Sequence, residues 1–127
     1  MKYLLDTHTA IWALKDKENL SETVKAIIDD VSLSLFVSIV SAWEIAIKVS
    51  IGKLDFFGGS ATFLEKMRNN GVELININGS HIECVEKLPF IHRDPFDRLI
   101  ISTALAEEFT IITVDENIQK YDVNWVW

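Results

Sequence analysis

Residues 33–51, LSLFVSIVSAWEIAIKVSI, decide the fold, because an apolar β-rich run passes directly into a helical pattern. Leu33 to Val40 has few polar positions and no clear alternation, which is typical of a strand covered on both faces. Ser41 then begins a helix in which apolar residues recur every four positions from Trp43 to Ile51. A buried strand that leads into a helix is the repeating unit of parallel sheets.

The same unit recurs on both sides of this stretch. The pattern predicts further strands over Lys2–Leu5, Val72–Ile77 and Thr110–Val114, with a final edge strand over Val123–Trp127. It predicts further helices over Thr9–Leu14, Ser21–Asp30, Ser60–Asn70, Ser80–Leu88 and Pro95–Phe109. Strands that alternate with helices predict an α/β fold, in which a central, mostly parallel sheet has helices on both faces.

Length, charge and cysteine content narrow the class of protein. The chain has 127 residues and one cysteine, Cys84, so we expect a single domain over residues 1–127 in a reducing compartment. No secretory signal or bilayer-spanning run is seen, so we expect a cytoplasmic protein without membrane association. The formal net charge of −7 argues against a broad cationic face for duplex nucleic acid. Any nucleic acid must bind locally, with cations supplying positive charge.

Four acidic residues fall where predicted strands end or where the next helices begin. Asp6 and Asp115 directly follow strands, whereas Glu44 and Asp97 lie in first helical turns. The carboxyl ends of parallel strands and the following helix N-termini share one edge of a sheet, where ligands collect. Carboxylate oxygens are the ligands that Mg²⁺ and Mn²⁺ prefer. The spacing therefore predicts a divalent-cation site at this edge.

Each acid also has a purely structural interpretation. Ser41 and Glu44 match a capping box, in which the Glu only closes the first helical turn. Asp94 and Pro95 match an N-cap and first helical position, beside which Asp97 adds a favourable charge. The two acids after strands could simply be solvated. However, like charges within a few ångström of each other repel by roughly 1 kcal/mol or more per pair. A bound cation would remove this repulsion. The joint pattern favours the metal interpretation.

Other chemistries lack the residues that they need. His8, His81 and His92 show no zinc-ligand spacing, and no glycine-rich phosphate loop is present. Trp12 and Trp43 are expected in the core. These observations leave the acids as the main candidate site.

Four segments together resemble a known family. They are residues 5–8 (LDTH), 41–48 (SAWEIAIK), 92–98 (HRDPFDR) and 113–115 (TVD). In this order they resemble the successive motifs of PIN-domain toxins of the VapC type, and the resemblance covers nearly the whole chain. It implies a PIN-like three-layer fold and an endoribonuclease that hydrolyses RNA with Mg²⁺ or Mn²⁺, as the toxin of a toxin–antitoxin pair. The metal-binding and catalytic roles would belong to Asp6, Glu44, Asp97 and Asp115.

The same resemblance implies lesser roles for residues near the four acids. Asp94 is expected mainly as a helix cap beside the metal, whereas Thr7 and Thr113 would orient waters or carboxylates. The implied partners are an RNA substrate and a cognate antitoxin protein. Phe56 and Phe57 flank a glycine turn, so they are expected either to contact the antitoxin or to pack in the core. The aromatic content is compatible with a homodimer.

Two other functions remain open at this point. A receiver-type signalling domain has a similar length and an acidic site, but it typically carries paired acids after its first strand and a later Lys-Pro. This chain has only Asp6 at that strand and no Lys-Pro. A catalytically inert PIN fold used as an interaction module is the other alternative, although all four acids are present.

Overall fold

The sheet is parallel throughout. A computed structural model describes residues 1–127 and contains five strands in the spatial order β3-β2-β1-β4-β5, with every neighbouring pair parallel. This confirms the predicted α/β fold. The strands are β1 (Lys2–Leu5), β2 (Ser34–Ser38), β3 (Val72–Ile75), β4 (Thr110–Ile112) and β5 (Trp125–Val126).

Seven α-helices connect and cover the strands. The short last helix and a 3₁₀ turn over Lys17–Asn19 were not expected from the sequence. None of the helices combines the length and the apolar character that a membrane span requires. The helices are α1 (Thr7–Lys15), α2 (Glu22–Asp29), α3 (Ile39–Ser50), α4 (Gly59–Asn69), α5 (Gly79–Lys87), α6 (Pro95–Glu107) and α7 (Glu116–Gln119).

Alternating strand residues build two cores, one on each face of the sheet. Leu5 and Ile112 pack with α1, α2, α3 and α4, whereas Leu4 and Ile111 pack mainly with α6 and α7. Adjacent residues of a strand point to opposite faces, so each central strand supplies both cores. All four of these side chains are fully buried. The three layers expected from the sequence are therefore present.

The strand order identifies where a ligand can bind. The chain passes from β1 to β2 to β3 on one side and then returns to β4 and β5 on the other, so the order reverses between β1 and β4. Open parallel sheets bind ligands at the carboxyl ends of strands beside such a switch point. Receiver domains have the flavodoxin-like order 2-1-3-4-5. The receiver alternative is therefore wrong for this chain.

Candidate metal centre at the carboxyl end of the sheet

Asp6 lies at the switch point and is almost completely buried. It is the N-cap of α1, because its Oδ1 accepts the backbone N–H of Thr9 at 2.8 Å. Its Oδ2 accepts a hydrogen bond from the Thr113 hydroxyl. Burial raises the pKa of Asp6, against the opposing effect of these hydrogen bonds. A cation would relieve that cost of burying the charged form.

Glu44 lies deeper in its helix than the sequence suggested. The α3 helix begins at Ile39, because the hydroxyl of Ser38 accepts the backbone N–H of Val40 at 3.0 Å and caps it. The capping-box interpretation of Ser41 and Glu44 is therefore wrong. β2 ends at Ser38, so the strand also stops two residues before the predicted end. Glu44 is free of any capping role.

The two carboxylate oxygens of Glu44 differ in their surroundings. Oε2 accepts a hydrogen bond from Lys48 Nζ at 2.5 Å, whereas Oε1 is buried and has no hydrogen-bond partner. The hydrogen bond to Glu44 raises the pKa of Lys48, which keeps this lysine charged. A buried unpaired carboxylate oxygen is costly unless something binds it. Oε1 is therefore an available metal ligand.

Asp94 and Asp97 lie at the start of α6. Asp94 is the N-cap, since its Oδ1 accepts the backbone N–H groups of Phe96 at 2.8 Å and of Asp97 at 3.2 Å. Pro95 occupies the first helical turn, as predicted. Asp97 Oδ2 lies 3.0 Å from His92 Nε2. The cap interpretation of Asp94 is confirmed, and the contact with His92 is new.

The charge of Asp97 depends on its neighbours. Burial, followed by the negative charge of Asp94, raises the pKa of Asp97 to about 7. Smaller contributions to this rise come from Glu44 and Asp6, whereas the hydrogen bond with His92 acts in the opposite direction. Groups influence each other in this way only when they are close in space. Asp94, Glu44 and Asp6 therefore all act electrostatically on Asp97, and the ligand atoms of Asp94 and Asp97 lie within 4.8 Å of each other.

Asp115 is connected to the site less directly. Its Oδ1 accepts the backbone N–H of Asn117 at 2.8 Å and caps α7. Its own N–H donates to the Thr113 hydroxyl at 3.0 Å, and that hydroxyl donates to Asp6. Asp115 thus reaches Asp6 through Thr113. Its place after β4 agrees with the prediction, although two residues separate it from the strand end.

Thr7 makes a contact that was not expected from the sequence. Its hydroxyl lies 2.9 Å from the hydroxyl of Ser41, in a buried contact that joins α1 to α3. Ser41 was expected to cap a helix and instead makes this contact. The pair fixes the spacing of the two helices that carry Asp6 and Glu44. Thr7 therefore acts on the site through packing.

His92 is the candidate ligand that the sequence analysis missed. His92, Asp94 and Asp97 each offer a ligand atom, and these atoms all lie within 4.8 Å of one another. Part of this closeness has structural causes, because Asp94 caps the helix and His92 bonds to Asp97. The trio does not include Glu44, whose Oε1 lacks a partner. We therefore regard His92 as an addition to the acidic site and not as a replacement for it.

The donor chemistry fits a hard divalent cation. Carboxylate oxygens dominate, one of them is buried without a partner, and an imidazole lies beside them. The largest cavity in the protein, about 800 Å³, lies elsewhere, between α4 and β3, and none of these acids lines it. Charge and burial, and not cavity size, identify the site.

Comparison with known proteins agrees with this architecture. Residues 3–124 match the PIN domain family model, so the chain belongs to the PIN domain family. No curated protein matches the chain.

Solved structures share the fold at low sequence identity. VapBC2 from Rickettsia felis, bound to a DNA fragment from its promoter, matches with 16% identity and a TM-score of 0.74, covering 99% of this chain and 98% of that chain. VapBC-1 from nontypeable Haemophilus influenzae matches with 18% identity and a TM-score of 0.69, covering 99% and 97%. A toxin-antitoxin complex from Klebsiella pneumoniae matches with 16% identity and a TM-score of 0.65, covering 98% and 96%. At these identities the similarity establishes the fold.

Proposed function

We propose that residues 1–127 form one PIN-like domain that acts as a metal-dependent endoribonuclease, the toxin of a toxin–antitoxin pair. The observation that carries the proposal is the buried, unpartnered Oε1 of Glu44 among acids that raise the pKa of Asp97 to about 7. Such a cluster is unfavourable by itself and becomes favourable with a bound cation. PIN family membership supports a nuclease.

The proposed metal is Mg²⁺ or Mn²⁺. Its ligands would come from Asp6, Glu44, Asp97 and Asp115, which we also propose as the catalytic residues, with His92 as a further candidate. Asp94 and Thr113 would hold ligands in place, Asp94 through the α6 cap and Thr113 through Asp6. The hydrogen bond from Lys48 keeps one oxygen of Glu44 occupied and leaves the other free for the cation.

The proposed reaction is hydrolysis of an RNA phosphodiester. The bound cation would supply Lewis acidity, which makes water more acidic and offsets the charge of the phosphate. The water oxygen forms a bond to phosphorus, the bond to the 3′ oxygen breaks, and that oxygen takes up a proton. The products carry a 5′ phosphate and a 3′ hydroxyl. The buried carboxylates of Asp6 and Glu44 would fix the ligand geometry, because Glu44 lies within α3 and Asp6 is held as the N-cap of α1 by its hydrogen bond from Thr9.

RNA cleavage with and without metal tests this function. The purified protein is incubated with transfer, ribosomal and messenger RNA in Mg²⁺, Mn²⁺ or EDTA. We expect cleavage that requires metal and falls roughly 10²–10³-fold in Asp97→Asn, since one charged stabiliser of the transition state is lost. Asp122→Asn, an exposed acid, is the matched control. Cleavage that persists in EDTA, or a folded and fully active Asp97→Asn, would contradict the proposal.

The inert interaction module is the remaining alternative. It predicts a folded protein that binds an antitoxin but cleaves none of these RNAs with either metal. The unpartnered Glu44 Oε1 favours the nuclease, because a module that only binds proteins has no need of a buried unpaired carboxylate oxygen. The cleavage assay therefore separates the two.

The proposed protein partner is a cognate antitoxin in the cytoplasm. Its tail would place an Arg or Lys among the carboxylates and an apolar anchor on Phe57, whose side chain is 91% exposed. Phe56 is buried and packs against Phe63, so only one of the two phenylalanines is available. Trp43, expected in the core, is 56% exposed. This exposure is compatible with the proposed homodimer, which analytical ultracentrifugation would test.

A further inference from the structure

A small cleft of about 220 Å³ opens beside the acids, between α1 and α3. Two of its lining residues, Thr7 and Glu44, are those that join the cleft to the acidic site. The cleft therefore shares Glu44 with the proposed reaction centre. Of its other lining residues, Lys48 is the one that contacts that centre, through Glu44.

The cleft concentrates positive charge in an acidic protein. Lys15, Lys48 and Lys53 line it, against the two acids Asp16 and Glu44. The chain as a whole has 12 Lys and Arg against 19 Asp and Glu, so the local balance is the reverse of the overall one. Phosphate groups bind where lysines outnumber acids, because the ammonium groups replace counterions.

Two of the lysines have ammonium N–H groups that form no hydrogen bond within the protein. Lys15 Nζ donates to the carbonyl of Asp55 at 2.9 Å and lies 5.8 Å from the centre of the Phe56 ring. An ammonium group has three donors, so two remain. Lys53 is exposed and forms no ion pair or side-chain hydrogen bond. Lys48, in contrast, forms an ion pair with Glu44.

Aromatic side chains also line this cleft. The exposed ring of His8 lies 6.0 Å from the ring of Trp12, which in turn lies 6.0 Å from the ring of Trp127. His8 and Trp12 both line the cleft. Trp12 is partly buried and packs against the core, as expected, with the His8 ring next to it on the exposed side. Rigid aromatic rings beside lysines are the usual means of binding a single nucleic-acid strand.

We propose that this cleft binds the strand next to the cleaved phosphodiester, with Lys15 and Lys53 on backbone phosphates and His8 stacked on a base. The inference rests on the proposed function, since it makes the cleft the substrate path of that site. A base can stack on His8 only when it is not paired, so the cleft takes a single strand and not a duplex.

Binding measured without cleavage tests the lysines. In the Asp97→Asn background with Mg²⁺, fluorescence anisotropy gives the Kd of a labelled, unstructured RNA oligonucleotide and of a duplex of the same sequence. Lys15→Gln together with Lys53→Gln should weaken single-strand binding roughly tenfold. The slope of log K against log salt should become shallower by about 0.7 for each phosphate that the variant no longer neutralises. Lys66→Gln with Lys87→Gln removes the same charge from exposed positions outside the cleft and should change little.

Substitution of His8 tests stacking separately from charge. His8→Ala should weaken single-strand binding by about fivefold or more, and His8→Phe should restore it, because stacking needs a ring and not a titratable nitrogen. A purely structural role of His8 would instead lower the melting temperature of the alanine variant without changing the Kd.

The two proposals fail in different ways. If the wild type cleaves RNA and the cleft variants bind as the Lys66 and Lys87 control does, the cleft proposal is overturned and the nuclease stands. If the cleft variants lose binding but the metal-loaded wild type cleaves nothing, the nuclease is overturned and the cleft stands. A duplex that binds as tightly as the single strand would also overturn the cleft proposal.

Discussion

The hydroxyl oxygen of Tyr121 accepts the backbone N–H of His92 at 2.9 Å, which ties the loop before α6 to the C-terminal segment. The same oxygen accepts the N–H of Ile91 and a guanidinium N–H of Arg98, each at 3.1 Å. Tyr121 and Arg98 are both buried. This network holds His92 where its ring meets Asp97.

Tyr121→Phe should therefore lower stability and disturb the site. It leaves buried donors without an acceptor, which costs about 1–3 kcal/mol in the free energy of unfolding. We expect cleavage to fall as well, because the His92 loop is released from its anchor. Urea denaturation and cleavage rates measure the two effects. Tyr3→Phe is the matched control, since the Tyr3 hydroxyl forms no hydrogen bond in the protein. Equal effects of the two substitutions would contradict the anchoring role.

Lys48→Met should destabilise the metal-free protein and increase its response to metal. It leaves the buried carboxylate of Glu44 without its ion pair, at a cost of about 1–2 kcal/mol, reduced because Lys48 is partly solvated. Mn²⁺ should restore more stability to this variant than to the wild type, because a cation replaces the lost charge.

The control for this prediction is Lys25→Met, which breaks an exposed pair with Glu22. That pair should contribute almost nothing to the free energy of unfolding, and Mn²⁺ should not change the effect of breaking it. Thermal unfolding in EDTA and in Mn²⁺ measures both variants. An Mn²⁺ shift that is the same in Lys48→Met and in the wild type would separate Glu44 from the metal site.

Most of the fold could be predicted because its signals are local. Each strand was expected from a short apolar run, and α6 from the Asp94–Pro95 start. The boundary at Ser38 was missed because Ile39 and Val40 favour strands by themselves, and only the cap on Val40 turns them into helix. The short α7 was also missed, since four residues give too little periodicity to detect.

The site was predictable only in part, because some of its contacts are long-range. Asp6, Glu44 and Asp97 could be placed at one edge from the rule for parallel sheets. The backbone N–H of His92, whose ring contacts Asp97, donates to Tyr121, which lies 29 residues from His92 in sequence. No spacing within the motif reveals such an anchor. The pairing of Thr7 with Ser41 was hidden for the same reason.

Phe57→Ser should weaken antitoxin binding without lowering the stability of the free chain. The side chain is 91% exposed, so its loss removes little packing from the folded protein. An apolar anchor on a partner would lose the surface that it packs on, and a central anchor typically contributes about 2 kcal/mol or more, roughly thirtyfold in Kd. Phe90→Ser, with 72% exposure, is the matched control. If both variants bind the co-expressed antitoxin as the wild type does, Phe57 lies outside the interface.

The pH dependence of stability should identify Asp97 as the strained acid of the metal-free protein. Its pKa is about 7 in the folded state against an ordinary value of 3.8, so between these pH values the folded state binds more protons than the unfolded state. Stability from this group is fully present below about pH 4 and is lost as the pH rises to about 7. The loss is at most roughly 1.4 kcal/mol per pH unit.

Asp97→Asn removes this titration, so the variant should be more stable than the wild type at about pH 7 in EDTA, with a smaller difference at about pH 4.5. Carboxylates that do not interact with Asp97 contribute equally to both proteins and cancel in the comparison, whereas the relief of Asp94, Glu44 and Asp6 is part of the expected difference. Urea denaturation at the two pH values measures the difference, and Asp122→Asn, an exposed acid, should show none. Mn²⁺ should reverse the order at neutral pH, because it stabilises the wild type more strongly. A variant that is less stable than the wild type at both pH values would mean that the contact with His92 outweighs the repulsion.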